Sequence, residues 1–318
     1  MSVAIHLLQQ AAQAIPDTVG ARPPGPSGPP PGFSAADAFF QLVQFVGWFL
    51  SIGAVGFRFG IVRRVRGMTD EARLILRADN AARLGMLGVL LLFVSYLGGP
   101  LVSSAMEHKT FLESLPANRT PFDLKMGVLA LAFIGFALVR VSPSAGWALA
   151  TIGILIAVLQ PLYTGRTAGK VNAVHILAAS TWLGTLLVLT LIGIRGVMRS
   201  SGPGVKRAEL VCDLVNSFSP LALTAATIVA VTGLTTAWLH LKRLSALWTT
   251  SYGAALLVKL VLVLIVVMLG AWNWRRVRPS LGEEGSEHTI RRSASLELTF
   301  AGLVLVATAV LVSLPSPR

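Results

Sequence analysis

The sequence predicts an all-α, polytopic membrane protein with eight transmembrane helices and both termini outside. Three observations predict this fold class. Eight apolar stretches are each long enough to cross a bilayer, which takes about 20 mostly apolar residues. Hydrophobic residues make up 54% of the 318-residue chain and charged residues only 13%, which is far from the globular norm. The gaps between the stretches are short, so they leave no room for a soluble domain between spans.

The predicted spans are placed by their apolar runs and by the charged gaps between them. Seven arginines lie in or next to the first gap, and the gaps after the fifth and seventh spans carry four and five basic residues. The expected spans are residues 36–60, 84–105, 124–141, 145–163, 171–194, 217–240, 254–274 and 295–314.

The net charge of +13 is distributed unevenly between the two faces of the predicted bundle. Seventeen Lys and Arg residues fall on one side of the eight spans and nine on the other. Loops rich in Lys and Arg stay in the cytoplasm, so the termini are expected to face outward. The basic character therefore reflects membrane topology, and no nucleic-acid partner is expected.

The first 35 residues differ from the rest of the chain. Residues 1–15 form a weakly amphipathic helix candidate, and residues 21–32 read as a stiff Pro-rich linker. No basic stretch precedes the apolar residues, so a signal peptide is not expected. We expect residues 1–35 to be an exposed tail, with docking of residues 1–15 onto a membrane protein partner as the alternative.

The remaining chain suggests a tandem 4+4 repeat. Span one contains Val43-Gln44 and then Gly53, and span five contains Val174-His175 and then Gly184 at the same separation. The expected domains are therefore a four-helix half at 36–165 and a second half at 166–318. An even number of spans in each half makes the two copies parallel.

Several polar side chains lie inside the predicted spans of the second half. Ionisable groups in hydrocarbon cost roughly 2.5–3.5 kcal/mol each on insertion scales, so they often mark function. The candidates are His175, Trp182 seven residues later, Lys259, Asn273 and Glu297, together with Tyr252 just before the seventh span. We expect His175, Trp182, Tyr252 and Lys259 to approach one another in the outer half of the bundle. As alternatives, Lys259 snorkels to the interface, Glu297 complements a helix dipole and His175 only bonds a neighbouring helix.

Histidines and methionines also collect at the outer ends of the spans. The candidate metal ligands are His175, His240, His108, Met106 and Met126. Imidazole and thioether together favour copper, whereas Mg²⁺ and Ca²⁺ need oxygen ligands. Met is also a common filler of apolar cores, so packing is the alternative for each methionine.

The second half resembles the copper resistance protein D (CopD) family. The resemblance begins with the His175, Trp182 and Gly184 motif and continues through Phe218-Ser219 and Thr232-Gly233. It is densest in residues 247–253 followed by Lys259, and it ends with Leu296-Glu297-Leu298 and residues 313–315. It covers residues 171–315.

The resemblance implies a non-enzymatic protein that moves copper across the bacterial inner membrane, in the direction of uptake. It also implies a periplasmic copper-binding partner like CopC. The N-terminal tail is too short to hold such a domain, so the partner is expected to be a separate chain.

Two further functions stay open at this stage. The His-x6-Trp-x-Gly pattern also resembles the first helix of the HemJ-like protoporphyrinogen oxidase family, which indicates a haem b-binding redox protein as an alternative. The third interpretation is a non-catalytic subunit or scaffold of a larger membrane complex.

Overall fold

Every regular element that the structure describes is helical. The computed structural model describes residues 34–65, 78–165, 167–199, 207–241, 245–272, 275 and 286–314. Within these residues, eight helices are long and apolar enough to cross a membrane. The predicted fold class and number of spans are therefore confirmed.

The long helices are numbered α1 to α8 in chain order. Their bounds are α1 Ala35–Val62, α2 Ala78–Glu107, α3 Thr120–Leu138, α4 Pro143–Leu159, α5 Thr167–Val197, α6 Arg207–Leu241, α7 Ser251–Trp272 and α8 Ser286–Ser313. One-turn helices at Pro161–Thr164 and Ala246–Thr249 follow α4 and precede α7.

Local sequence signals explain where several helices begin. The Ser34 hydroxyl accepts a hydrogen bond from the Asp37 amide at 3.2 Å, which caps the first turn of α1. Pro121 and Pro143 occupy the first turns of α3 and α4, where the missing N–H costs nothing. The span predicted to end at residue 141 ends at Leu138, because Pro143 disfavours helical geometry at the residue before it.

Helix α6 begins ten residues earlier than predicted. Its first three turns mix charged and apolar residues, so no continuous apolar run marked them in the sequence. Cys212, expected in a loop, lies inside this helix, and its Sγ accepts a hydrogen bond from Asn216 Nδ2 at 3.2 Å.

Two helices contain π-helical segments that were not predicted. α1 ends in one at Phe57–Val62, and α5 contains two, at Ser180–Gly184 and Leu189–Ile194. A π-helical turn accommodates more residues than an α-helical turn, so the side chains beyond it are rotated. Such segments are frequent at functional sites.

Helices α1 and α5 form the centre of the bundle. They cross at Gly53 and Gly184, where a Cβ on Gly53 would clash with the Gly184 carbonyl and a Cβ on Gly184 with the Phe49 carbonyl. Small residues allow such close backbone approach between membrane helices. The two glycines that the repeat pattern paired therefore contact each other at the central crossing.

The other helices flank this central pair on two sides. One large apolar core joins α1 and α5 to α2, α3, α4 and the first turns of α6. A smaller one joins Phe49 of α1 and Leu183 of α5 to α7 and α8. A third, built on Leu241, Tyr252, Leu256 and Leu311, lies where α6, α7 and α8 meet. The last three helices thus lie across α1 and α5 from the first-half helices.

The N-terminal tail, including residues 1–15, and most of the Arg-rich gap between α1 and α2 lie outside the described residues. The outward orientation of the termini, the 4+4 repeat and the domain boundaries stay predictions.

Candidate functional site

His175 is held by a hydrogen bond to the neighbouring helix. Its Nδ1 lies 2.9 Å from the Thr232 hydroxyl of α6. That hydroxyl donates its one hydrogen to the Ile228 carbonyl, at 2.6 Å, within its own helix. The Thr232 oxygen is therefore the acceptor for His175, so Nδ1 carries the ring hydrogen. Nε2 consequently keeps its lone pair, which is the atom that binds a metal.

The surface of α6 leaves space for the His175 ring. Thr232 is followed by Gly233, and a Cβ at that position would lie 3.2 Å from Cε1 of His175. Any larger residue would press on the imidazole. The Thr232-Gly233 pair thus both orients the ring and makes space for it.

Lys259 of α7 is the charged group that acts on His175. Its ammonium interacts electrostatically with the imidazole. In the described part of the chain, no carboxylate forms an ion pair with Lys259. The approach of His175 and Lys259 expected from the sequence stays a prediction.

A second polar cluster joins the first three helices. Gln44 of α1 donates a hydrogen bond from Nε2 to the Tyr96 hydroxyl of α2, at 2.5 Å. Lys125 of α3 lies with its Nζ 3.4 Å from the same oxygen and 4.9 Å from the Tyr96 ring centroid. The Lys125 ammonium is thus held by a hydrogen bond and a cation–π contact. Sequence reasoning named Gln44 only as the counterpart of His175, and it missed Tyr96.

Trp182 and Tyr252 lie in apolar clusters. Trp182 packs beside Leu183 in the core shared with α7 and α8, and Tyr252 belongs to the cluster with Leu256 and Leu311. Trp182 was expected on the face of His175 because seven residues make two α-helical turns. Trp182 itself lies in the π-helical segment from Ser180 to Gly184, where the number of residues per turn differs from that of an α-helix. The grouping of all four residues stays a prediction.

The remaining inner-side candidates differ in what the structure describes. Glu297 of α8 is 8% exposed, the one charged side chain among the described residues that is buried to this extent. Asn273 lies outside the described residues. Any role of either residue at an inner exit stays a prediction.

The other candidate copper ligands are dispersed along the bundle. Met106 is 77% exposed near the end of α2, and His108 follows that helix with a φ of 51°. Met126 packs against the large core, and His240 lies in the last turn of α6 with its side chain outside the description. Among the described residues, no three His, Cys, Asp or Glu side chains meet in an arrangement that would hold a metal ion. The His/Met set stays a prediction.

Two hydroxyls near the central crossing are buried without a partner. Ser180 Oγ and Thr185 Oγ1 belong to α5, flank its first π-helical segment and have no hydrogen bond. Burying a hydroxyl without a partner is costly, so such groups need an explanation. No sequence signal distinguished them from the other Ser and Thr residues.

The fold and the polar clusters define a multi-pass α-helical membrane protein in which the His175 imidazole of α5 is hydrogen-bonded to Thr232 of α6. The family model of copper resistance protein D matches residues 213–311. The match contains Thr232, Lys259 and Glu297 and begins after His175. The resemblance to this family, inferred from the sequence, is thereby confirmed.

A curated relative agrees with this assignment. The copper transport protein CutJ of Bacillus subtilis (strain 168) is 31% identical over 143 residues, which are 45% of this chain and 24% of the relative. The matched stretch thus spans about a quarter of the relative's length. No solved structure matches the chain. The family model and the relative are both named for copper.

Proposed function

We propose that this chain takes part in copper uptake across the bacterial inner membrane and that His175 binds the ion in transit. Copper is the cargo here and not a resident cofactor. The observation that carries the proposal is the hydrogen bond from His175 Nδ1 to Thr232, because it leaves Nε2 as a fixed donor. The family match and the name of the relative indicate copper as the metal.

The proposal gives separate roles to the neighbouring residues. Thr232 fixes the tautomer and the ring plane, as a hydrogen-bond partner of the second ring nitrogen does for metal-binding histidines. Lys259 places a positive charge near the ion, which disfavours cations held only by electrostatic attraction. Strong covalent donors then decide which ion stays, and imidazole with thioether favours copper. Met106, His108, Met126 and His240 are the proposed outer ligands, and Glu297 is the proposed inner exit.

Copper titration of the purified protein tests this role. Cu(I) is added anaerobically against a chromophoric chelator, to the wild type and to His175→Gln. The variant is expected to bind at least about tenfold more weakly, since it loses the proposed donor. Gln44→Ala is the matched control, because Gln44 occupies the corresponding place in α1, and it is expected to bind like the wild type.

Two results would overturn the proposal. Equal copper affinity in His175→Gln and the wild type would make His175 a packing residue. A Soret band with stoichiometric haem and no copper would replace transport by haem-based redox chemistry. The titration of His108→Ala and Met106→Leu tests the outer ligands separately, with X-ray absorption reporting nitrogen or sulfur coordination.

A further inference from the structure

A cavity with both polar and apolar lining residues lies between the end of α1 and the beginning of α6. It has a volume of about 350 Å³ and is lined by Arg64, Val65, Asp213, Asn216, Ser217 and Pro220. Below it, Gly60 packs so closely against the Leu221 side chain that a Cβ would touch it. The cavity is therefore closed toward the middle of the bundle and open at its end. It is far from the His175 cluster in sequence and belongs to other turns of the helices.

Two opposite charges line this cavity from different helices. Arg64 follows α1 and Asp213 lies in α6, and both side chains are exposed. Within the described residues, the two groups do not form an ion pair with each other or with other side chains. A ligand with one anionic and one cationic group would pair with both residues at once. Its anionic group would contact Arg64 and its cationic group Asp213.

The depth of the cavity indicates the kind of ligand. The apolar span of α1 ends at Val62, two residues before Arg64, and the span of α6 begins at Glu209, one turn before Asp213. These positions lie where hydrocarbon gives way to lipid headgroups. The apolar surfaces of Val65 and Pro220 line the same space. Pockets between transmembrane helices that carry a basic residue at this depth bind anionic lipid headgroups in other membrane proteins.

The geometry points to a lipid site: we propose that Arg64 and Asp213 hold the headgroup of phosphatidylethanolamine, with the phosphate on Arg64 and the ammonium on Asp213. Arg binds phosphate through paired N–H donors. A primary ammonium has three N–H donors for the carboxylate, whereas a trimethylammonium has none. Phosphatidylcholine is therefore a poor fit, and phosphatidylglycerol lacks the cation altogether. This inference is independent of the proposed copper site.

Native mass spectrometry of the full chain in detergent tests the assignment. Phosphatidylethanolamine, phosphatidylglycerol and phosphatidylcholine with identical acyl chains are added separately. The wild type is expected to bind phosphatidylethanolamine about tenfold more tightly than phosphatidylcholine, since one charge-assisted hydrogen bond is worth about that factor. Arg64→Gln is expected to lose phosphatidylethanolamine and phosphatidylglycerol together.

Asp213→Asn separates the two ends of the headgroup. It is expected to lose the preference for phosphatidylethanolamine while retaining phosphatidylglycerol, because only the ammonium contact is removed. Arg63→Gln is the matched control, since Arg63 is also exposed but does not line the cavity. Each variant changes an exposed side chain, and a gel-filtration profile confirms that it is folded.

Three results would overturn the proposal. Equal binding of all three lipids by the wild type would show no headgroup site, and equal losses in Arg63→Gln and Arg64→Gln would show only general charge attraction. Soluble phosphoethanolamine that binds as tightly as the lipid would identify a free metabolite instead. Retention of the preference in Asp213→Asn would remove the ammonium contact.

Discussion

The first three helices and the fifth to seventh helices each hold one polar cluster, and the two clusters are built differently. Gln44, Tyr96 and Lys125 contact one another through a single phenolic oxygen. In the second cluster, the Thr232 hydroxyl uses its hydrogen on its own helix and leaves His175 Nε2 with a lone pair. The first arrangement binds its own side chains together, whereas the second keeps a donor atom for a ligand.

The comparison extends to the helices that carry the clusters. Gln44 and His175 each stand nine residues before a glycine of the central crossing. A π-helical segment begins 13 residues after Gln44 in α1 and 14 residues after His175 in α5. Helix α5 also contains the π-helical segment at Ser180–Gly184, whereas α1 is a regular α-helix up to Gly56. The two clusters therefore differ in the backbone around them as well as in their side chains.

The largest loss of stability is expected when the crossing of α1 and α5 is disturbed. Gly53→Leu and Gly184→Leu each place a side chain against a backbone carbonyl, so we expect about 3 kcal/mol of destabilisation. Thermal unfolding in detergent measures the effect. Gly127→Leu and Gly302→Leu are the controls, since a Cβ there meets nothing within 4 Å. Equal melting of all four variants would show that the crossing is not tightly packed.

Tyr96→Phe tests whether the first cluster is structural. The change leaves the buried amide of Gln44 and the Lys125 ammonium without their acceptor, so a loss of about 2 kcal/mol is expected. Copper affinity should not change. Tyr163→Phe is the control, because Tyr163 is 87% exposed. A fall in copper affinity with Tyr96→Phe would mean that the two clusters work as one site.

Thr232→Val tests whether the second cluster serves a ligand. The valine keeps the shape but removes the acceptor for Nδ1, so copper binding is expected to weaken about tenfold. Thr232→Ser should restore it. Thr227→Val is the control on the same helix, since Thr227 bonds only the Leu223 carbonyl. If serine and valine behave alike, the hydroxyl does not orient His175.

The smallest expected effect concerns two connections between helices, the one before α3 and the one before α7. In the α2–α3 connection, the Thr110 amide donates to the Glu113 carboxylate at 2.9 Å, and this bond lowers the pKa of Glu113. A carboxyl whose pKa is lower when folded stabilises local structure above its ordinary value near 4.3 and loses that effect as pH falls through the folded value.

Hydrogen exchange of the Thr110 amide should therefore accelerate slightly on acidification beyond the intrinsic pH effect, and Glu113→Gln should remove this excess. The connection before α7 contains no acidic residue in 245–250 and is capped by Thr250, whose Oγ1 accepts from the Gly253 amide at 3.0 Å. Amide exchange in this connection is expected to change with pH only through the intrinsic pH effect. An equal excess in both connections would contradict the assignment to Glu113.

The sequence predicted the spans well because lipid imposes a minimum apolar length on each helix. It failed where the answer depended on contacts or on helix type. Apolar composition does not reveal the π-helical segments, one of which contains Trp182. Lys125 was noted only for its charge, since nothing in its own helix indicates that Tyr96 lies opposite.

Thr232 was noted in the sequence as part of the Thr232-Gly233 pair, but its role becomes apparent only in the structure. Its hydroxyl points to the Ile228 carbonyl one turn away. Every helix has a carbonyl in the corresponding position. Which partner the Thr232 oxygen then accepts from depends on packing between α5 and α6. Pairings of this kind are invisible in a single sequence.

The position of Thr232 on α6 has one more consequence. Its neighbours Val231 and Leu234 are 62% and 76% exposed, so the helix that orients His175 presents its other side to the hydrocarbon of the bilayer. The bilayer is thus one helix away from the imidazole. Acyl-chain length and fluidity then become variables of the metal chemistry, and affinities measured in thin detergent micelles and in native-thickness membranes are expected to differ.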